Sequence, residues 1–345
     1  MQYPLAQELN VPGYQKVIRF EVPSLQLKGF IAIHNTFRGP ALGGTRLWHY
    51  DNESLALKDV LRLAEGMTYK AAATQLPLGG GKAVLIGQPS IKSKAYFQAY
   101  GYYVNSLNGQ YITAEDVNTN TEDMASILLS TPHVVGLRNK SGNPSPWTAL
   151  GAFKGIQASI QYLWHEKKIE QCRFAIQGVG ATGLEVIHHL VKAGVTSITI
   201  ADINPLHLEQ ATKLYPRVRV VDSKLLLFEP VDVLVPCALG GILNQNTIPK
   251  IKAQIIAGTA NNLLENYEVD KQLINQQGIL LAPDFIINAG GLIHVSKEVT
   301  KENDKQTIER LNQIGPRLLA IYELAKHKKI STFQAATLYA SQHFQ

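Results

Sequence analysis

A strand, a glycine turn and a helix follow one another over residues 173–193, and that succession constrains the fold more than any other stretch of the chain. Arg173-Phe174-Ala175-Ile176-Gln177 reads as a strand, Gly178-Val179-Gly180-Ala181-Thr182-Gly183 fits G-x-G-x-x-G, and residues 184–193 have helical spacing. The glycine pattern carries weight only in this setting. The first glycine then makes a tight turn, the second admits a pyrophosphate against the backbone, and the third lets the helix pack on the strand. The helix N-terminus turns its amides and positive dipole end towards the phosphates. Asp202 ends the next strand, nineteen residues past Gly183. A carboxylate there accepts hydrogen bonds from the ribose hydroxyls and repels a 2′-phosphate, which predicts NAD rather than NADP. The other reading of Asp202 is a cap for the helix starting at Pro205.

Strands and helices keep alternating beyond this point, over residues 197–201, 206–215, 231–235, 254–257 and 278–282. That alternation predicts a parallel, doubly wound sheet covered on both faces, a Rossmann-type dinucleotide-binding domain. Pro236-Cys237-Ala238-Leu239-Gly240-Gly241 and Gly258-Thr259-Ala260-Asn261-Asn262 each follow a strand, at the edge where such sheets take ligands. Residues 1–140 mix strands and helices and form a second α/β domain. Ser141-Gly142-Asn143-Pro144-Ser145-Pro146 is rich in turn formers and separates the two. The expected domains are 1–140, 141–325, and a C-terminal helix, 326–345, able to return to the first domain.

Composition narrows the functional classes. The chain has 345 residues, enough for two cores, with 45% hydrophobic and 17% charged residues, as in a folded globular protein. No run approaches the roughly 20 apolar residues of a membrane span, and the start lacks a signal-peptide pattern. Cys172 and Cys237 are too few and too far apart for a disulfide framework or metal site, so a reducing cytoplasmic setting and no metal are expected. The net charge of +6 is spread along the chain without a basic stripe, which argues against nucleic acid as a partner.

Gly66-Met67-Thr68-Tyr69-Lys70 and Gly79-Gly80-Gly81-Lys82 set two lysines twelve positions apart. The three glycines read as a loop that lets backbone approach a ligand, ahead of a short buried strand at 83–86. One lysine could hold a carboxylate while the other does proton chemistry. Ile112-Thr113-Ala114-Glu115-Asp116-Val117 supplies adjacent acids after a strand, of which only one can point into a cleft. The aromatic stripe of a helix over 96–107 reads as core.

Taken together these segments resemble the glutamate/leucine/phenylalanine/valine family of amino acid dehydrogenases. In the N-terminal half the resemblance rests on Pro40-Ala41-Leu42-Gly43-Gly44-Thr45-Arg46, Met67-Thr68-Tyr69-Lys70, Leu78-Gly79-Gly80-Gly81-Lys82 and Thr113-Ala114-Glu115-Asp116-Val117. In the C-terminal half it rests on the Gly178 fingerprint, residues 236–240, residues 257–262 and Asn288-Ala289-Gly290-Gly291. The resemblance implies a reversible reaction in which an L-amino acid, NAD⁺ and water give a 2-oxo acid, ammonia and NADH. By position it implies that Lys70 binds the substrate carboxylate and that Lys82 and Asp116 are catalytic. Asn262 would lie near the substrate, and Thr148 by the nicotinamide amide with Ala238 and Asn261. In that chemistry a lysine of lowered pKa deprotonates water, an effect Lys70 would support as a like charge, and the aspartate shuttles protons at the amine.

Leu42 stands where glutamate-specific relatives carry a lysine for the side-chain carboxylate. With Gly43, Ala114, Leu292 and Val295 it implies an apolar pocket and a branched-chain substrate, phenylalanine being the next reading. Two departures stand out: the connection Leu137-Arg138-Asn139-Lys140-Ser141 is short for the family, and His294 replaces an asparagine, read here as a satisfied or solvent-facing ring. The family also implies a homo-oligomer. The competing class is a catalytically silent protein that binds NAD through the same fold.

Overall fold

The computed structural model describes residues 3–138 and 140–344; Met1, Gln2, Asn139 and Gln345 lie outside the described residues, Asn139 being part of the short connection noted above. The chain divides into two units. One comprises Met1–Asn143, His294–Asn303 and Ala340–Gln345, the other Pro144–Ile293 and Asp304–Tyr339. The C-terminal segment 326–345 is therefore split: only its last residues, from Ala340, belong to the first unit.

The N-terminal unit contains β1 (Gln7–Leu9), β2 (Lys16–Val22), β3 (Leu27–Asn35), β4 (Ala41–Trp48), α1 (Glu53–Ala73), β5 (Gly79–Ile86), α2 (Lys94–Asn105), β6 (Tyr111–Glu115) and α3 (Thr121–Leu128). The strands form one sheet in the order β1-β2-β3-β5-β4-β6. Its β1 to β5 side pairs antiparallel, while β5, β4 and β6 run parallel. Both faces are covered, which is why the apolar alternation of β3 is faint in the sequence. Ile31 and Ile33 join the core under α2 with Tyr96, Phe97, Tyr100 and Tyr103. Phe30 and Ala32 join a second core with Val84 and with Ala56, Val60 and Ala64 of α1. The aromatic stripe of α2 is thus core, as its spacing predicts; Tyr103 stacks on Phe20 at 4.6 Å between centroids.

Two sequence expectations need correction in this unit. The triglycine is not a loop: Gly79-Gly80-Gly81-Lys82 is the first half of β5. The helix read over 55–64 also continues to Ala73, so Gly66 and Lys70 are helical. A Cβ on Gly80 would stand 2.0 Å from the Thr68 amide nitrogen, so this strand residue lacks a side chain where the end of α1 rests on the sheet. A Cβ on Gly79 would stand 1.9 Å from the Asn35 carbonyl oxygen, where the end of β3 lies close.

The second unit starts with α4 (Ser145–Trp164), followed by β7 (Phe174–Gln177), α5 (Ala181–Lys192), β8 (Ile198–Ala201), α6 (Pro205–Leu214), β9 (Arg219–Val220), β10 (Val233–Pro236), β11 (Ile255–Ile256), α7 (Tyr267–Gln276), β12 (Leu280–Leu281) and α8 (Asp284–Ile287). Beyond α8 the described residues form α9 (Gly290–Thr300), α10 (Asp304–Asn312), α11 (Ile314–Lys328) and α12 (Thr332–Ser341). All its strand pairs are parallel, in the order β12-β11-β10-β7-β8-β9. Strand order reverses at β7 and β10, so the crevice beyond their carboxyl ends is where a doubly wound sheet accepts a ligand. Among the described residues no helix is long and apolar enough to cross a membrane.

Candidate active site

Strand register assembles the polar cluster of the N-terminal unit. Leu42 of β4 lies opposite Gly80 of β5 and Ile112 of β6, Gly44 opposite Ala114, and Arg46 opposite Val84. Side chains alternate along a strand and agree in direction between register partners. Val84 faces α1, so Leu42, Gly44, Arg46, Gly80, Lys82 and Ala114 share that face, and Asp116 comes next in line just past β6. Gly44 leaves room beside the acid, since a Cβ there would stand 2.8 Å from the Asp116 Cβ. On the opposite face a Cβ on Gly43 would be 1.7 Å from the Gly81 oxygen, so β4 and β5 lie close together there. Beneath β4, Tyr111 donates to the Gly43 oxygen at 2.8 Å, and Thr45 bonds Tyr100 at 2.7 Å.

On this face Lys82 and Asp116 meet. Lys82 Nζ is 3.1 Å from Asp116 Oδ1, with side chains 7% and 24% exposed. Arg46 Nε donates to the other oxygen, Oδ2, at 3.1 Å. The Asp116 amide donates to Thr119 Oγ1 at 2.9 Å, which fixes the turn after β6. Burial pushes the Asp116 carboxyl up, but the charges and hydrogen bonds of Lys82 and Arg46 outweigh it and hold it at about 2. Glu115, facing the other way, has only burial acting on it and is raised. Lys70 sits half-buried in the last turn of α1, two residues past Thr68, whose backbone rests on Gly80. Thr68 Oγ1 is in turn 2.9 Å from His34 Nδ1. Leu42 and Ala114 are buried, as are Leu292 and Val295 on α9. His294 is buried, with Nε2 2.8 Å from the Ser141 carbonyl oxygen, a satisfied ring rather than a solvent-facing one.

In the second unit the fingerprint has the geometry a dinucleotide needs. Gly178 has φ +85°, a turn closed to most side chains, and a Cβ on Gly183 would stand 2.0 Å from the Gly178 oxygen. A Cβ on Gly180 would meet only His207, at 3.6 Å, so the approach to this backbone is clear. Gly180 caps α5 without a side-chain bond, which leaves its first-turn amides to an anion. Asp202 does not cap α6, since Asn204 does that. Its Oδ2 accepts from the Val179 amide at 2.8 Å, and Oδ1 accepts from the Asn204 amide at 2.8 Å. Burial raises the Asp202 carboxyl, but those two amides and the nearby His207 ring outweigh it and lower its pKa. The residues present therefore suit a dinucleotide.

The remaining crevice residues come from three loops. A Cβ on Gly178 would touch the Ala238 Cβ at 2.8 Å, placing the loop after β10 against the fingerprint. Thr182 Oγ1 is 2.9 Å from Thr259 Oγ1. Asn288 Nδ2 donates to the Asn261 side chain at 2.7 Å and to the Thr259 carbonyl at 3.2 Å. Asn262, with φ +53°, directs its amide to Asp284 Oδ2 at 2.5 Å and keeps an exposed side chain. Thr148 bonds back to the Pro144 carbonyl at 3.1 Å, and a Cβ on Gly291 would press on its Oγ1 at 2.6 Å. Arg46, Thr119 and Asn288 were absent from the residues expected from sequence. Arg46 and Asn288 stood inside segments that carried the family resemblance, and that was the available signal.

A buried amine and carboxylate in one unit, with a dinucleotide-type sheet in the other, are the parts an oxidoreductase acting on CH–NH₂ donors needs. Comparison with known proteins makes this specific. Residues 15–133 match the Glu/Leu/Phe/Val dehydrogenase dimerisation domain, and residues 206–343 match the Glutamate/Leucine/Phenylalanine/Valine dehydrogenase domain. The chain is 44% identical to an L-tryptophan dehydrogenase of Nostoc punctiforme, over 96% of this chain and 94% of that one. It is 41% identical to the leucine dehydrogenase of Geobacillus stearothermophilus, over 99% and 93% respectively. The crystal structure of L-tryptophan dehydrogenase from Nostoc punctiforme superposes with a TM-score of 0.84 at 41% identity, covering 96% of each chain. The chain belongs to the Glu/Leu/Phe/Val dehydrogenase family and is an amino acid dehydrogenase.

Proposed function

We propose that the protein catalyses reversible, NAD-dependent oxidative deamination of a branched-chain L-amino acid, leucine with valine and isoleucine, to the 2-oxo acid and ammonia. The reading rests on the Lys82–Asp116 pair, 3.1 Å apart, with Gly44 leaving room beside the acid. A bound dinucleotide supplies the hydride acceptor. Lys70 holds the substrate carboxylate. Asp116 takes and returns the proton at the amino nitrogen. Lys82, having released its own ammonium proton to solvent, withdraws a proton from the water that adds to the imine carbon, then stabilises the oxyanion as the ammonium so formed. Gly178, Val179, Gly180, Ala181, Thr182, Gly183 and Asp202 hold the dinucleotide, and Thr148, Ala238 and Asn261 orient its nicotinamide end, with Asn262 beside the substrate. Leu42, Gly43, Ala114, Leu292 and Val295 line the side-chain pocket. Leu42 is 1% exposed, and an unpaired carboxylate against it would be costly, which disfavours glutamate. The match to a dimerisation domain supports a homo-oligomer.

A second reading, tryptophan as substrate, is favoured by the 44% identity to the Nostoc punctiforme protein, close to the 41% shared with the leucine enzyme. Leucine, valine and isoleucine differ by about one methylene, worth only about 1–3 kcal/mol in an apolar pocket, whereas an indole needs a much larger one, so pocket size decides between the two readings. The test is reduction of NAD⁺ with leucine, valine, isoleucine, phenylalanine, tryptophan and glutamate offered separately. Highest kcat/KM for a branched-chain substrate supports the proposal, and highest kcat/KM for tryptophan establishes the second reading. Preference for glutamate rejects the role of Leu42, and no turnover of any amino acid leaves a silent NAD-binding protein.

A further inference from the structure

Asp116 is gripped by two cations of different kinds. Lys82 meets Oδ1, whereas Arg46 Nε donates to Oδ2 at 3.1 Å. Arg46 is itself anchored, since its Nη1 donates to Asp59 Oδ2 of α1 at 3.0 Å. Asp59 is completed by the Tyr50 hydroxyl, which donates to Oδ2 at 2.6 Å, and by Arg62, which donates to Oδ1 at 3.0 Å. The Arg46 side chain is only 21% exposed, and a guanidinium fork held at two points fixes direction as well as charge. Lysine can give up its proton during a reaction; arginine does not.

We propose that Arg46 is the positioning residue for Asp116: anchored by Asp59 and Tyr50, it holds Oδ2 so that Oδ1 alone is presented to Lys82 and to the substrate amine. Its permanent charge keeps Asp116 ionised until it takes the amine's proton, even in the steps where Lys82 has lost its own. The inference rests on the proposed role of Asp116 as the group that exchanges a proton with the amine. The charged and titratable groups around this carboxylate are Lys82 of β5, Arg46 of β4 and, behind Arg46, Asp59 of α1 with Tyr50 and Arg62.

Steady-state kinetics against pH for Arg46→Gln, Arg46→Lys, Asp59→Asn and Asp116→Asn test the assignment. Withdrawing a cation raises the pKa of every titrating group beside it. Arg46→Gln is expected to lower kcat by roughly tenfold or more and to move the acid limb of kcat/KM to higher pH by about one unit, with amino acid KM changed less than about threefold. Arg46→Lys restores the limb because it restores charge, but recovers kcat only in part because it lacks the fork. Asp59→Asn keeps Lys82 and Arg46 beside Asp116 but loosens the anchor of Arg46, and is expected to lower kcat as well, which keeps the test available should Arg46→Gln fail to fold. Wild-type kcat and an unmoved acid limb in Arg46→Gln, with turnover abolished in Asp116→Asn, overturn the role of Arg46 alone. Turnover retained in Asp116→Asn overturns the reading of the site on which the inference stands.

Discussion

Asp116→Asn should make the N-terminal unit less sensitive to acid, because the carboxyl it removes is strongly coupled to folding. Against burial, Lys82 and Arg46 bring Asp116 from 3.8 to about 2. That gap of about 1.8 pH units corresponds to roughly 2.5 kcal/mol at neutral pH, as an order of magnitude. The folded value is the lower one, so the stabilisation is fully present above the unfolded pKa and is lost as pH falls through the folded pKa. About 1 kcal/mol of it is gone by pH ~3. The variant is the less stable protein at neutral pH, since it leaves two cations without their carboxylate. Its deficit relative to wild type should shrink by about 1 kcal/mol between pH ~7 and pH ~3, because the other carboxyls are common to both proteins and cancel. Urea unfolding followed by hydrogen exchange of the β4 and β5 amides measures the difference within this unit alone. A deficit of the same size at both pH values would falsify the coupling of Asp116 to its two cations.

Two further outcomes follow from the geometry. Gly80→Ala places a Cβ 2.0 Å from the Thr68 amide nitrogen and should cost roughly 3 kcal/mol or more, whereas Gly66→Ala meets nothing within 4 Å inside α1 and should stabilise by about 0.5–1 kcal/mol; urea midpoints for both variants check the pair. Asp202→Ser leaves the Val179 and Asn204 amides without their carboxylate and should weaken NAD⁺ binding by roughly tenfold while narrowing the preference over NADP⁺, measured by titration with each dinucleotide; an unchanged preference would count against Asp202 as the ribose ligand.

The second unit was the more legible half of the sequence. A strand, a glycine turn and a helix satisfy purely local rules, and their succession carries the parallel sheet with it. β9, only Arg219–Val220, is too short to leave a pattern. In the first unit local rules misled. Glycine disfavours strands, so Gly79-Gly80-Gly81 reads as a loop; the close approach of β3 to Gly79, of α1 to Gly80 and of Tyr111 to Gly81 explains why β5 carries it. Gly66 likewise hid the continuation of α1. Lys82 and Asp116 were visible as residue types, but their contact depends on the register of β4, β5 and β6, which acts over long sequence separations. Arg46 leaves no signal in a local pattern, because its place in the site is the link it makes between Asp116 and Asp59.

Turnover by Lys82→Ala, read from the absorbance of the reduced cofactor with the best amino acid substrate and paired with dinucleotide titration, tests the central claim most directly. The site described here predicts a fall in kcat of about a thousandfold or more with dinucleotide affinity unchanged. An alanine variant that turns over at the wild-type rate would contradict it.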